Sequence, residues 1–425
     1  MELPVGRAIS VATAEQKVLE ALALKLSMIP AVVEAKEAGR QVFLAHSNAK
    51  TVDGAASLED AARQHFYGAL QLVPNLDPYH PKIQSLFLYR HTTDGQEYPS
   101  ALHGGIENPD NIYRIIPVSP DSRYELHGVR HNPPPAQVTF ELMDSVPGLD
   151  SIGEQVAILQ DRDMVIAPDG SYTITIDPSP ADGRPNHIRT TQAAKCLFIR
   201  DSMSDWRTQR PDMLRIVRTA GPQRPPRTEQ ELINLAVWLI PHYAQFWQDL
   251  RDHYVAHMNL KTNVFDPAFM RAGGWQFISN THFAIGDEEA FVFTTNPNDA
   301  PYHAVLIANH WWITMDSDRC TGSFNTSQAT PNRDGSITFV VAARDPGAHN
   351  WLDTGGARRG ILQVRWQGLP PDVTALPDGV RDFRVVKLAE LKSALPPEAV
   401  WLTPDQRKAQ REARHAAYVL RFSPQ

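Results

Sequence analysis

Residues 332–366, NRDGSITFVVAARDPGAHNWLDTGGARRGILQVRW, decide the fold of this chain. They contain two strand-like runs, at 337–343 and 361–366, joined by a polar loop rich in Gly, Asp and Asn. Short apolar runs bounded by such turn residues are typical of antiparallel strands. The segment therefore predicts a unit of turn, strand, loop and strand.

A second copy of this pattern lies at residues 168–206, PDGSYTITIDPSPADGRPNHIRTTQAAKCLFIRDSMSDW. Both copies open on Asp-Gly-Ser, at 169–171 and 334–336. Further along, three pairs align: Asn186 with Asn350, Thr190 with Thr354, and Arg200 with Arg365. A shared unit of this length indicates that a β module has been duplicated.

Residue parity divides the last strand of the second copy into two faces, because successive side chains of a strand point to opposite sides. One face carries Leu362, Val364 and Trp366, and the other carries Ile361, Gln363 and Arg365. The face that carries Arg365 is the polar one.

The composition describes a globular protein of several domains. A chain of 425 residues is too long for one ordinary core, so two or three domains are expected. Its net charge of −7 argues against a nucleic-acid partner or an anionic membrane surface. Residues 1–10 contain no apolar signal core and no apolar run approaches a membrane span, so a cytoplasmic location is expected. The two cysteines, Cys196 and Cys320, are expected to be free thiols.

The predicted fold class is mainly β with α. Two duplicated antiparallel β-sandwich modules of the jelly-roll kind are expected, with an N-terminal helical subdomain and a long connecting helix. Ser57 is a candidate N-cap in the helical subdomain, and Thr228 with Glu231 forms a predicted capping box at the start of the long helix. The predicted boundaries are 1–82 for the helical subdomain, 83–220 for the first module, 221–262 for the linker and long helix, 263–387 for the second module, and 388–425 for a helical tail.

The pattern DPG..NWLDT.G...G....RW at residues 345–366 resembles the C-terminal signature of DUF1214, a family of unknown function. NPDNIYR at 108–114, RYELHG at 123–128 and the run that ends at Trp206 agree with this resemblance. It implies β-sandwich domains of the jelly-roll kind and a homo-oligomer. In this family the position after Tyr302 is commonly aromatic, and here it is His303.

The loop that carries Asn350, Trp351 and Asp353 is the first candidate site. Asp353 beside an amide, with Arg365 on the following strand, predicts an acid/base or anion-binding group. Alternatively, Asn350 and Asp353 cap turns while Arg365 pairs with Asp353 to hold the loop. Asp353 is matched by Arg189 in the first copy, so the repeat itself does not need a carboxylate there.

Histidines and aromatic residues concentrate in the second module and predict a pocket for an apolar or sugar-like ligand. His303 is the catalytic candidate, together with Asp353 and Arg365. If the strand is unbroken, parity places His303 and His310 on opposite faces. The further candidates for substrate binding are Tyr302, His282 and Trp312 of the second module, with His103 and Tyr113 contributed from the first module. Each lone histidine is alternatively a hydrogen-bonded core residue.

Standard cofactor signatures are absent from the sequence. It has no GxSxG elbow, no Walker A motif, no GxGxxG after a strand and no CxxC, so neither a nucleotide cofactor nor a bound metal is predicted. His253 and His257 stand four residues apart without a third ligand, which favours simple packing.

Three functions remain open. The favoured one is a cofactor-independent lyase or hydrolase that uses side-chain acid/base chemistry on a bulky, partly apolar hydroxylated small molecule, such as a terpenoid, a steroid or an aromatic glycoside. The alternatives are a non-catalytic carbohydrate or small-ligand binding protein, for which sandwich folds are common hosts, and a metal-dependent jelly-roll enzyme.

Overall fold

The structure is a computed structural model that describes residues 11–258 and 261–420, and for residues 255–258 it describes the backbone alone. The chain begins with three helices, α1 (Ala14–Leu26), α2 (Pro30–Ala45) and α3 (Val52–Leu72). The sequence predicted Ser57 as the N-cap of α3, but the helix begins earlier. Thr51 caps it instead, because its hydroxyl accepts a hydrogen bond of 3.0 Å from the backbone N–H of Gly54.

The two β modules follow, one on either side of a long helix. The strands from the first part of the chain are β1 (Gln84–Leu86), β2 (His91–Thr93), β3 (Gln96–Tyr98), β4 (Asn111–Pro117), β5 (Arg123–Val129), β6 (Gln137–Met143), β7 (Gln155–Gln160), β8 (Ser171–Asp177), β9 (His187–Arg189), β10 (Cys196–Ser202) and β11 (Met213–Ala220). Those of the second part are β12 (Phe269–Met270), β13 (Gln276–Ala284), β14 (Glu289–Thr295), β15 (Tyr302–Ala308), β16 (Ser323–Asn325), β17 (Ile337–Ala342), β18 (Trp351–Asp353), β19 (Arg359–Gln367) and β20 (Val380–Lys387).

Sheet topology shows the duplication directly. The first module pairs a five-stranded sheet, β1-β4-β10-β6-β7, with a four-stranded sheet, β11-β5-β8-β9. The second pairs β12-β13-β19-β15-β16 with β20-β14-β17-β18, which is the same order with each strand replaced by its counterpart. Each module also contains one parallel strand pair among antiparallel ones. These pairs are β8 with β9 in the first module and β17 with β18 in the second.

The apolar core of each module lies between its two sheets. Leu362, Val364 and Trp366 of β19, which share one of the two faces that residue parity distinguishes, are buried in the second core. In the first module, Leu197 and Ile199 of β10 occupy the same kind of core. The opposite faces of β10 and β19 therefore lie outside the sandwiches.

Helix α4 (Glu229–Met258) connects the modules and packs against α2 and α3. The predicted capping box is present, since Thr228 N donates to Glu231 Oε2 over 2.7 Å and Glu231 N donates to Thr228 Oγ1 over 3.3 Å. Two helices, α5 (Leu391–Ala394) and α6 (Pro404–Val419), close the described chain. None of the described helices is long and apolar enough to span a bilayer.

The two modules are joined through a buried carboxylate, that of Asp110. Tyr302 of the second module donates to Asp110 Oδ2 over 2.5 Å, and Asn325 donates to Asp110 Oδ1 over 2.9 Å. A second bond between the modules runs from Ser202 Oγ to Gln367 Oε1 over 2.7 Å. Buried hydrogen bonds of this kind fix the position of one five-stranded sheet relative to the other. They therefore also fix the space between these two sheets.

Candidate functional site

A cavity of about 250 Å³ lies between the outer faces of the two five-stranded sheets. Helix α4, the loop at 103–107, the segment at 147–153, Arg271 and Trp312 form the other parts of its lining. The residues that line it from the sheets are Tyr113, Met143, Phe198, Arg200, Phe269, Ile278, Asn280, Ile361, Gln363 and Arg365, and Trp275 lines it from just before β13. The helix contributes Trp247, Leu250 and Tyr254. Aromatic and aliphatic surface with a few polar groups is the usual lining of a small-molecule site.

Arg200 and Arg365 reach this cavity from equivalent strands. The guanidinium of Arg200 forms an ion pair with Glu141 and lies over two rings, 4.4 Å from the centroid of Phe198 and 5.0 Å from that of Trp275. Arg365 is held by the backbone, because its Nη2 donates to the carbonyl of Ile106 over 2.6 Å. Both side chains are therefore fixed in place.

Arg271 is the third arginine of the lining. The residue is exposed, and its guanidinium lies 5.7 Å from the centroid of the Trp275 ring. Burial, followed by the charges of Arg271 and Arg365, lowers the pKa of Arg200 to about 9. The three cations are thus close enough to repel one another.

The loop at 103–107 is ordered by the carboxylate of Glu107, which accepts hydrogen bonds from the backbone N–H groups of His103 and Gly104. Burial raises the pKa of Glu107, and these backbone N–H groups and the charge of Arg365 oppose that rise. His103 contacts Gln71 through Nε2, and burial lowers its pKa to about 3, so its imidazole is neutral. Within the described chain, its Nδ1 has no hydrogen-bond partner.

Trp312 closes one side of the cavity in a left-handed backbone conformation with φ of 63°. Its carbonyl accepts from Ile106 N over 2.8 Å, and its ring lies 5.8 Å from that of Tyr254. A Cβ atom at Gly105, where φ is 65°, would approach the ring of Trp312 to 2.8 Å. This contact explains why the loop carries glycine there.

The structure brings together four of the residues that the sequence singled out. His103, Tyr113, Trp312 and Arg365 all line the cavity. The mixed face of β19 that parity predicted, with Ile361 and Gln363 beside Arg365, forms one wall.

Asn350 and the three residues after it, predicted as a loop, lie outside the cavity lining, and residues 351–353 form strand β18. Asp353 accepts from Gly355 N over 2.9 Å and pairs with Arg411 of α6 over 2.8 Å, so Arg365 is not its partner. Asn350 bonds both the N–H and the carbonyl of Thr330, each over 2.8 Å. Trp351 donates from its indole to the carbonyl of Ala342 over 2.9 Å. These three side chains are engaged in holding the fold.

Three other candidates are also outside the cavity lining. Tyr302 donates to Asp110 in the joint between the modules. His303 is 1% exposed and contacts Thr295 Oγ1 through Nε2 over 3.1 Å. His282 is half-buried farther along β13, and burial, followed by the neighbouring His310, lowers its pKa. Strand β15 ends at Ala308, so His310 lies in the following turn and the parity argument does not apply to it.

Sequence reasoning missed Arg200, Arg271 and Glu107 as site residues. The alignment of Arg200 with Arg365 carried the signal for one of them, since equivalent strands of two packed copies can face a common space. Nothing in the local sequence distinguishes Arg271 or Glu107. In the described ranges, no three His, Cys, Asp or Glu side chains cluster as metal ligands, and the side chain of His257 lies outside those ranges.

Comparison with known proteins agrees with the fold. Residues 292–368 match the model of the family described as "Protein of unknown function (DUF1214)", which confirms the resemblance seen in the sequence. The chain is similar to the crystal structure of an uncharacterized protein from Burkholderia cenocepacia, with 26% identity and a TM-score of 0.69 over 86% of this chain and 99% of that one. The VPA0106 protein from Vibrio parahaemolyticus matches with 10% identity and a TM-score of 0.43 over 84% of this chain and 100% of that one. None of the curated proteins matches the chain.

Proposed function

We propose that this protein binds a bulky, partly apolar small molecule in the cavity between its two β modules. The observation that carries the proposal is the composition of that cavity, which combines aromatic walls with a few fixed polar groups. Its volume of about 250 Å³ is near the lower end of small-molecule sites, roughly 300 Å³. The position between modules agrees with the preference of such sites for domain interfaces.

A hydrolase or lyase that works by side-chain acid/base chemistry is a second candidate, and Glu107 is the observation that favours it. A buried carboxyl with a raised pKa beside a ligand cavity has the properties of a general acid or base. Of the catalytic residues predicted from sequence, Arg365 alone would take part at this cavity, because Asp353 and His303 do not line it. The substrate class of terpenoids, steroids or aromatic glycosides stays a prediction, as do the cytoplasmic location and the homo-oligomer.

Gly104 offers a direct test, because a Cβ atom added there would meet no heavy atom within 4 Å. Since Gly104 lines the cavity and does not have a left-handed backbone, a larger side chain is expected to fill the space without straining the loop. The probe is N-phenyl-1-naphthylamine, a neutral apolar dye whose fluorescence rises in an apolar site. We expect saturable binding to the wild type, weaker binding to Gly104→Ala, and loss of binding to Gly104→Leu.

Thermal unfolding of the same variants provides the control, since all three proteins should unfold at similar temperatures. Equal dye binding by the wild type and Gly104→Leu would show that the dye binds elsewhere and would overturn the proposal. To find the natural ligand, the wild type and Gly104→Leu are purified in parallel and their organic extracts compared by mass spectrometry. A compound present with the wild type alone identifies the class of molecule that the cavity holds.

A further inference from the structure

The cavity contains more positive charge than its own carboxylates neutralise. Arg200 has an ion pair with Glu141. Arg365 bonds to a carbonyl and to the amide of Gln363, and among the described residues neither it nor Arg271 forms an ion pair with a carboxylate. The charge of Arg365 acts on Glu107, but the carboxylate of Glu107 is bound to backbone N–H groups.

Uncompensated guanidinium groups in such a space are costly. Arg365 is 8% exposed and the side chain of Arg200 is 12% exposed, so water solvates their charges poorly. Mutual repulsion among three cations adds to that cost. An anion placed between them would replace the lost solvation and reduce the repulsion.

We infer that the ligand of this cavity is an organic acid, whose oxyanion binds to Arg365 together with Arg200 and Arg271 while its apolar body packs on the aromatic walls. The inference rests on the function proposed above and adds the chemical class of the ligand to it. Guanidinium groups bind carboxylate, sulfate and phosphate by the same paired N–H donors, so the shared chemistry is an oxyanion on an apolar body.

The fixed geometry of the arginines supports this assignment. Arg365 is held by the carbonyl of Ile106, and Arg200 is held between Glu141 and the rings of Phe198 and Trp275. A cation whose orientation is set before binding loses less entropy when the anion arrives. The rings that position Arg200 also line the cavity, so an aromatic acid would contact the same surface with its apolar part.

Two dyes separate the contribution of the acid group to binding from that of the apolar body. 8-Anilinonaphthalene-1-sulfonate is N-phenyl-1-naphthylamine with one added sulfonate. The ratio of their dissociation constants therefore measures how much the oxyanion contributes to the binding free energy. We expect the wild type to bind the sulfonate at least about tenfold more tightly, as charge-assisted hydrogen bonds of this kind predict. Arg365→Gln is expected to remove most of that preference while changing the affinity for the neutral dye less than about twofold.

Arg359→Gln is the matched control, because Arg359 stands on the same strand with an exposed side chain outside the cavity. It should leave both dissociation constants unchanged. The inference fails if the neutral dye binds in the cavity and the sulfonate dye binds with no higher affinity. It also fails if Arg359→Gln and Arg365→Gln change the two dissociation constants equally. In either case the small-molecule proposal stands. If neither dye responds to Gly104→Leu, the proposed function fails first.

Competition then distinguishes the acids. 2-Naphthoate, 2-naphthyl sulfate and 2-naphthyl phosphate are expected to displace the sulfonate dye from the wild type, each with an affinity at least about tenfold above that of neutral 2-naphthamide. The acid that binds most tightly indicates which oxyanion the cavity prefers. Displacement by the amide with the affinity of the naphthoate would overturn the assignment.

Discussion

Arg200 and Arg365 occupy the same position in the two β modules, and both side chains line one cavity. Arg200 lies opposite Tyr113 on β4 and Arg365 opposite Ile278 on the equivalent strand β13, and these two neighbours also line the cavity. The duplication therefore places two copies of one strand face around a shared space, and each copy contributes a cation to it.

The arginines of the cavity are expected to favour ligand binding but to lower the stability of the ligand-free protein. Arg271→Gln tests this expectation. Among the described residues, the side chain of Arg271 forms neither a hydrogen bond nor an ion pair, and the charge of Arg365 repels it. We expect the ligand-free variant to be as stable as the wild type or up to about 0.5 kcal/mol more stable in urea unfolding. The gain should shrink in high salt, because salt screens the repulsion. A loss above about 1 kcal/mol would mean that Arg271 holds the fold.

Asn186 and Asn350 are expected to have the same structural role. Each binds both backbone groups of one residue, Val165 in the first module and Thr330 in the second. Replacing either with Ala leaves those groups without partners, so we expect a loss of about 1–3 kcal/mol for each variant in urea unfolding. Dye binding per folded molecule should be unchanged in both. Loss of binding in Asn350→Ala alone would restore Asn350 as a ligand-binding residue.

The architecture could be predicted from the sequence because it is set by local patterns. Alternation along β19 divided its residues correctly between two faces, and the repeat identified the second module. The structure shows that one face lies in the core and that the other lines the cavity. The position of Asp353 could not be predicted in the same way, because its partner Arg411 stands 58 residues away on α6. The sequence placed Asp353 and Arg365 in one candidate site, whereas Arg365 bonds to the carbonyl of Ile106 in the structure. Their separation depends on how α6 and the two modules pack, and no short-range pattern records that packing.

The ion pair between Asp353 and Arg411 should help to dock α6, and Asp353→Asn measures its contribution. Because the side chain of Arg411 is 37% exposed, the pair is expected to contribute no more than about 1 kcal/mol. Arg411→Gln should cost a similar amount, and the double variant little more than either single one. Binding of both dyes should be unaffected. Asp353→Asn that folds normally but loses ligand turnover would return Asp353 to the mechanism.

The backbone of the 103–107 loop predicts a sharp difference between two neighbouring glycines. Gly105 has φ of 65° and faces the ring of Trp312, whereas a Cβ at Gly104 would meet open space. Gly105→Ala is therefore expected to cost about 1–3 kcal/mol and to weaken dye binding by displacing Trp312. Gly104→Ala should leave stability within about 0.5 kcal/mol of the wild type. Equal stability of the two variants would contradict the loop geometry.

His303 should make stability depend on pH without taking part in binding. Burial lowers its pKa from 6.5 to about 3, so between these values the unfolded chain binds the proton more readily than the folded protein. The stability it contributes is therefore fully present above pH 6.5 and is lost as the pH falls toward 3.

His303→Gln is expected to reduce the slope of unfolding free energy against pH by up to about 1.4 kcal/mol per unit between pH 4 and 6. His65 and His103 have the same lowered pKa of about 3, so part of the slope should remain in the variant. Urea unfolding at several pH values measures this difference, and neutral-dye binding at pH 7.5 checks the site. An unchanged slope combined with lost binding would place His303 in the ligand site rather than in the core.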